Sequence, residues 1–186
     1  MEGLTRFIAV VPGAPALLPE LRGQIDTVPE LRSACLDAVA WLAERSPSSV
    51  AVVVDSSTQH RAVNVAASLL AEAGYNGNVV SPGDLNVTDG LLLVVNGSAR
   101  RGEKAPGHLD PRALDFDEQI ERALAKGDPA GLSQIDVALG TALLAEGLGG
   151  LVALSSLAGA QVSSNMLYAD DPYGVRYWVV TWECAF

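Results

Sequence analysis

LLLVVNGSARRGEKAPGHLDPRALDFD, residues 91–117, sets a continuous apolar run against a long polar loop and then a helical pattern. Leu91 to Val95 carries no charge, the form of a strand buried on both faces, and such strands belong to parallel sheets covered by helices. In those sheets the ligand crevice lies beyond the carboxyl ends of the strands. The loop from Asn96 to Asp117 therefore leaves the sheet where binding and catalysis are usually placed, and it carries Arg100, Arg101, Glu103 and Lys104.

Working outward, Phe7 to Val11 and Val50 to Val54 repeat the buried-strand pattern, and Val79–Val80 marks a short strand. Helical periodicity fills the gaps. Thr27-Val28-Pro29-Glu30 has the form of a capping box, and Leu31, Ala34, Cys35, Ala38, Trp41 and Leu42 follow at helical spacing to about Arg45. A second helix is expected over Ala62 to Ala73, closed by Gly74. After the central loop, Phe116, Ile120, Ala123 and Leu124 predict a helix with Asp115 as its cap. Leu132, Ile135, Leu139 and Leu143 predict another, and Gly150 to Ala158 a short helix packed close to backbone.

The end of the chain changes character. Gln161 to Tyr168, the turn Asp170-Asp171-Pro172-Tyr173-Gly174 and Val175 to Trp182 predict a β-hairpin, with Tyr177, Val179 and Thr181 on one face of its last strand and Trp178, Val180 and Trp182 on the other. The expected fold is α/β: a central, mostly parallel, mixed sheet flanked by helices on both faces, in one domain spanning residues 1–186.

Composition narrows the function classes. With 12 Lys+Arg against 22 Asp+Glu, the net charge of −10 opposes attraction to phosphate backbones and anionic lipid, so neither nucleic acid nor a membrane is an expected partner. No run reaches the roughly 20 apolar residues that span a bilayer. Cys35 and Cys184, far apart in apolar surroundings, read as buried thiols of a cytoplasmic protein rather than a disulfide framework. No Gly-x-Ser-x-Gly elbow surrounds Ser155, Ser156, Ser163 or Ser164, and Gly147, Gly149 and Gly150 lack phosphate-loop spacing, so neither a serine hydrolase nor a nucleotide site is supported.

Three segments carry a resemblance. Val10-Val11-Pro12-Gly13-Ala14-Pro15-Ala16-Leu17-Leu18-Pro19-Glu20, Gly97-Ser98-Ala99-Arg100-Arg101 through Phe116-Asp117, and Asp170-Asp171-Pro172-Tyr173-Gly174-Val175 together resemble the class III (LigB-like) extradiol ring-cleavage dioxygenases, closest to a shorter actinobacterial branch. The resemblance implies a mixed sheet with flanking helices and, in active members, Fe(II) held by two His and a Glu beside a catalytic His, leaving open positions for a catecholate and O₂. This chain departs from that pattern. Gly13 stands where the first iron His follows the Val-Pro of the opening strand, and Ala99 stands where the catalytic His belongs. The second His is expected just after Val54, within Asp55-Ser56-Ser57-Thr58-Gln59-His60, where His60 is displaced. The Glu would come from the helix at Ile135 to Leu144, whose corresponding face around Ala138 and Leu139 is apolar. No metal and no cofactor is therefore expected, and ordinary Fe(II)-dependent ring cleavage is not.

Two residue groups remain as candidates. Asp55 and His60 could form a carboxylate-oriented histidine, catalytic or ligating, or Asp55 could cap the following helix and leave His60 solvated in its first turn. Arg100 and Arg101, with Ser98 and Gly13 at the same sheet edge, could hold a small anion or aromatic acid, or the arginines could pair with Asp110, Asp115 and Asp117 and order the loop. His108 reads as a surface loop residue. The leading expectation is a degenerate dioxygenase-like domain that binds a small molecule or a protein, with self-association into a homo-oligomer left open. The alternative is an enzyme, dioxygenase-like or otherwise, with a site rebuilt around Asp55, His60, Arg100 and Arg101.

Overall fold

The computed structural model describes residues 5–54, 59–80, 88 and 90–186. Six strands form one sheet: β1 (Thr5–Val11), β2 (Ser49–Val53), β3 (Asn78–Val80), β4 (Gly90–Val94), β5 (Gln161–Asp170) and β6 (Tyr177–Ala185), in the order β3-β2-β4-β1-β6-β5. The first four run parallel; β6 is antiparallel to both β1 and β5. The sheet is thus mixed and mostly parallel, as the buried apolar runs require.

Period-2 alternation divides the core between the two faces. Ala9 and Val11 of β1 join Val52, Leu92, Tyr177 and Val179 beneath α1 (Pro29–Arg45) and α2 (Gln59–Glu72). Ile8 and Val10 join Leu91, Leu93, Trp178, Val180 and Trp182 beneath α3 (Ala113–Lys126), α4 (Pro129–Leu132) and α6 (Leu148–Ala153). The partition of the last strand follows the expected faces: Tyr177 and Val179 lie on one side, the two tryptophans on the other. Both Cys35 and Cys184 are free and buried, and desolvation pushes both thiols up, Cys184 to about 11.

Several local expectations are corrected. The capping box at Thr27 does not form: Val28 is the N-cap of α1 without a side-chain bond, Asp26 Oδ1 accepts from the Val28 N–H at 3.0 Å, and Thr27 Oγ1 lies 2.6 Å from the Tyr173 hydroxyl. Asp115 is not the cap of α3. Arg112 holds that place, and Asp115 sits within the first turn, where its charge still suits the helix dipole. The single helix expected through Leu132, Ile135, Leu139 and Leu143 is two: α4 and α5 (Val137–Ala142), each restarted by an aspartate cap, Asp128 accepting from Gly131 and Asp136 from Leu139. Leu132, Ile135 and Leu143 are buried all the same, so the periodic residues were core while the helix between them was interrupted. Gly150 to Ala158 is likewise the end of α6 followed by a 3-10 turn over Leu154–Leu157.

The proline-stiffened loop after β1 is anchored by a residue the periodicity gave no reason to notice. Arg32, 7% exposed, points back from α1 to donate to the carbonyls of Ala16 and Leu17 at 2.5 and 3.0 Å, with Asp26 beside it at 2.8 Å. A buried guanidinium needs such partners. Its effect is to fix the loop that leaves the carboxyl end of β1. Among the described residues, no helix is long and apolar enough to cross a membrane.

Candidate functional site

Because β1 and β4 are parallel neighbours, their carboxyl ends deliver Gly13 and Asn96 to the same edge. The Gly13 N–H donates to Asn96 Oδ1 at 2.8 Å, and the Asn96 amide nitrogen donates to Glu146 Oε2 at 2.8 Å. Arg61, in α2, donates to the same Glu146 oxygen. Four segments distant in sequence thus meet in one chain of polar contacts. Arg61 and Glu146 keep 39% and 28% of their side chains exposed, so the charge pair stays partly open to solvent.

Tyr177 opens β6 at this edge and is buried. Desolvation pushes its phenol up to about 12, with Arg61 and Glu146 among the charges it senses, so it stays neutral and can donate a hydrogen bond at any ordinary pH. Glu146 is held in place by backbone. The N–H groups of Asn96 and Glu146 each donate to the other's carbonyl at 3.0 Å, and Gly147 follows with φ +78°.

The central loop is tied down from below. Asp117, in the first turns of α3 and fully buried, accepts from the Ser98 N–H at 2.8 Å and from Arg101 at 2.8 Å; Arg101 also donates to Asp171 at 2.5 Å. Burial pushes the Asp117 carboxyl up, while Ser98 and Arg101 pull it back. Beside it, burial also pushes Glu121 up, but the Trp178 indole N–H at 2.9 Å and Arg176 outweigh that and hold its carboxyl below the usual range. The loop and the hairpin turn are bonded directly, Gly97 N–H to Arg176 carbonyl at 2.8 Å and Arg176 N–H to Ser98 carbonyl at 3.0 Å. The three segments quoted above for their resemblance therefore meet at one edge of the sheet.

The candidate residues among those described each have a definite place. Gly13 is at the site, but its N–H is already bonded to Asn96. Ser98 is fully buried and donates its hydroxyl to the Leu143 carbonyl at 3.1 Å. Arg101 is engaged by Asp117 and Asp171, so its guanidinium orders the loop. Arg100 lies 3.9 Å from Asp110 and remains partly exposed. His60 is exposed in the first turn of α2, and His108 is exposed with φ +57°. Asp55 lies outside the described residues. Of the residues at the edge, Arg61, Asn96, Glu146 and Tyr177 were not singled out from the sequence; Glu146 lay just beyond a helix expected to end at Leu144, and Arg61 was masked by its neighbour His60.

The iron ligand set implied by the resemblance does not fit these residues. A Cβ placed on Gly13 would lie 3.1 Å from a Val94 methyl and 3.6 Å from the Asn96 amide nitrogen, so a side chain there would start tightly against Val94 and beside the Asn96 carboxamide. Ala99 is buried, Ala138 is exposed on α5, and among the described residues no three His, Cys, Asp or Glu side chains cluster closely enough to hold a metal ion. A shallow cavity of about 510 Å³ lies on the loop between Lys104–Pro106 and Pro172–Gly174. No protein-family model matches the chain, and no curated protein matches it significantly.

Proposed function

We propose that this chain is a small-molecule-binding domain, a degenerate relative of the LigB-like dioxygenases that takes an anion or aromatic acid at the carboxyl edge of its sheet without Fe(II)-dependent ring cleavage. The observation that carries the reading is the convergence of Arg61, Glu146 and Asn96 beside Gly13, with a half-exposed guanidinium in a chain whose net charge of −10 otherwise repels anions. Arg61 is the cation assigned to the ligand. Arg101, engaged by two aspartates, positions the loop, and a planar fork with remaining donors suits a carboxylate.

Resemblance in motif order, and the meeting of the three motif-bearing segments, support descent from a dioxygenase-like ancestor; the vacated ligand positions support loss of its chemistry. A site rebuilt for catalysis around Asp55 and His60 has no comparable support, since His60 is exposed in the first turn of α2.

A thermal-shift screen of small carboxylates, benzoates and catechols tests the proposal. A ligand bound only to the folded protein stabilises it by about 2.7 kcal/mol at a hundred times its Kd. We expect carboxylate hits that vanish in Arg61→Gln at unchanged intrinsic stability. Hits that persist in Arg61→Gln, or O₂ uptake with a catechol, would overturn it.

A further inference from the structure

The sheet ends differently on its two sides. One side closes on β3, three residues long; the other closes on β5, ten residues long and paired only with β6 among the described residues. A sheet edge presents unpaired N–H and C=O groups, which proteins usually shield with short strands, prolines or charges. From Gln161 to Ala169, β5 has no proline and no charged residue. Its sole irregularity is a bulge between Met166 and Tyr168, which leaves Gln161 to Met166 as a straight segment.

We propose that β5 is a homodimerisation edge, pairing antiparallel with β5 of a second copy so that two six-stranded sheets become one continuous sheet. A two-fold axis perpendicular to the sheet keeps each face on its own side, so residues that meet must share a face. With Ser164 on the axis, Val162 meets Met166 of the second copy on the α3 face, and Ser163 meets Asn165 of the second copy on the α1 face. The segment Val162-Ser163-Ser164-Asn165-Met166 is a palindrome of character about that axis: apolar, polar, serine, polar, apolar. Val162 and Met166 are half-buried extensions of the core under α3, and the pairing completes their burial against each other. Ser163 and Asn165 are exposed and face each other as hydrogen-bonding groups. Charge opposes self-association everywhere except along an uncharged edge, so it fixes where a second copy can dock. Two chains of net charge −10 repel, and this uncharged stretch is where they can approach; pairing therefore strengthens as salt screens the repulsion. β-Strand addition of this length gives a modest interface in which backbone hydrogen bonds supply the affinity and alternate side chains the selectivity.

Light scattering and sedimentation of the full chain over a range of protein concentrations, at low and at high salt, give the first reading. We expect a mass that rises from monomer towards twice its value with concentration, and further with salt. In Ser163→Glu/Asn165→Glu, like charges stand directly opposite across the two-fold, so the variant should stay monomeric, with its melting temperature in dilute solution unchanged because both positions are exposed. Ser163→Cys/Asn165→Cys reads the register independently of that variant's folding: oxidation should join two chains covalently, the native Cys35 and Cys184 being buried. A wild type that is monomeric throughout, a dimer that survives the glutamate pair, or failure of the cysteine pair to cross-link would each overturn the proposal.

Discussion

Asn96 and Glu146 are joined three times: the N–H of each donates to the carbonyl of the other at 3.0 Å, and the Asn96 amide donates to the Glu146 carboxylate at 2.8 Å. The backbone pair fixes where the side chains start, and the side-chain bond fixes where they end. A carboxylate from the α5–α6 connection is thereby held over the carboxyl end of β4, within reach of Arg61. Such double anchoring limits the side chain to one geometry before any ligand arrives.

Gly147 makes that anchoring possible. Its φ of +78° is a left-handed conformation, and a Cβ there would collide with the Val94 carbonyl and lie 2.9 Å from Val95 Cα. Gly147→Ala should therefore cost roughly 1 to 3 kcal/mol for the strained backbone, with a further cost of similar size for the displaced strand end. Denaturant midpoints measure the loss. Because the displacement starts next to Glu146, ligand-induced stabilisation should fall with it, whereas Gly159→Ala, also left-handed but with open space around it, should lower stability without touching binding.

The layers of this fold were legible because burial writes itself into periodicity. Val50–Val54 and Leu91–Val95 could only be strands covered on both faces, and the alternation from Tyr177 to Trp182 assigned each residue to its face. The ends of elements were less legible. Nothing in Thr27-Val28-Pro29-Glu30 announces that Tyr173, far along the chain, bonds the Thr27 hydroxyl, and Asp136 reads as an ordinary polar residue until its carboxylate is seen restarting a helix. The loop at Asn96 pointed to the sheet edge where the candidate residues meet, but not to those residues. Arg100 and Arg101 drew notice by adjacency, while the arginine at the edge, Arg61, comes from the first turns of α2 and meets Glu146 only through the order of the strands.

Arg101 and Asp117 make stability depend on pH in a defined direction. Burial raises the Asp117 carboxyl above its ordinary 3.8, against the pull of Ser98 and Arg101. An acid whose folded value is raised binds its proton more readily when folded, so its contribution is full below about 3.8 and is lost as pH rises through the folded value. Arg101→Gln removes the cation and raises that value further. We expect a loss of about 3 kcal/mol near neutral pH, typical of one partner deleted from a buried pair, shrinking as the pH is lowered towards 4. In Arg101→Gln/Asp117→Asn the pH dependence added by the single substitution should disappear and part of the stability return. Chemical denaturation at several pH values reads both effects, and a deficit independent of pH in the single variant would contradict the assignment.

Trp182 tests the hairpin as a structural element. The indole is 1% exposed within the core under α3, and its N–H donates to the Leu124 carbonyl near the end of that helix at 2.8 Å. Trp182→Ala should cost about 3 to 5 kcal/mol through the cavity it leaves, and the mass of the native protein should not respond, since this face of β6 is covered by the chain's own helices. Trp182→Phe keeps much of the volume and loses the hydrogen bond, so its smaller cost, about 1 to 3 kcal/mol, separates the two contributions.

Arg61 and Glu146 should move anion binding in opposite directions. Glu146 neutralises Arg61 in the empty site, and an anionic ligand has to compete with it for the guanidinium. Glu146→Gln keeps an oxygen for the Asn96 amide but removes the competing charge, so carboxylate affinity should rise, by about tenfold if the released interaction is near 1.4 kcal/mol. Arg61→Gln should abolish it. Intrinsic stability should change little in either variant, because a half-exposed ion pair contributes about 1 kcal/mol or less. Calorimetric titration with a carboxylate found by the thermal-shift screen, performed at two salt concentrations, decides the matter: electrostatic capture weakens with salt in the wild type and more steeply in Glu146→Gln, where the anion meets an unpaired cation. Equal affinities in wild type and both variants would remove the Arg61–Glu146 pair from the site and, with it, the ligand-binding role argued for this edge of the sheet.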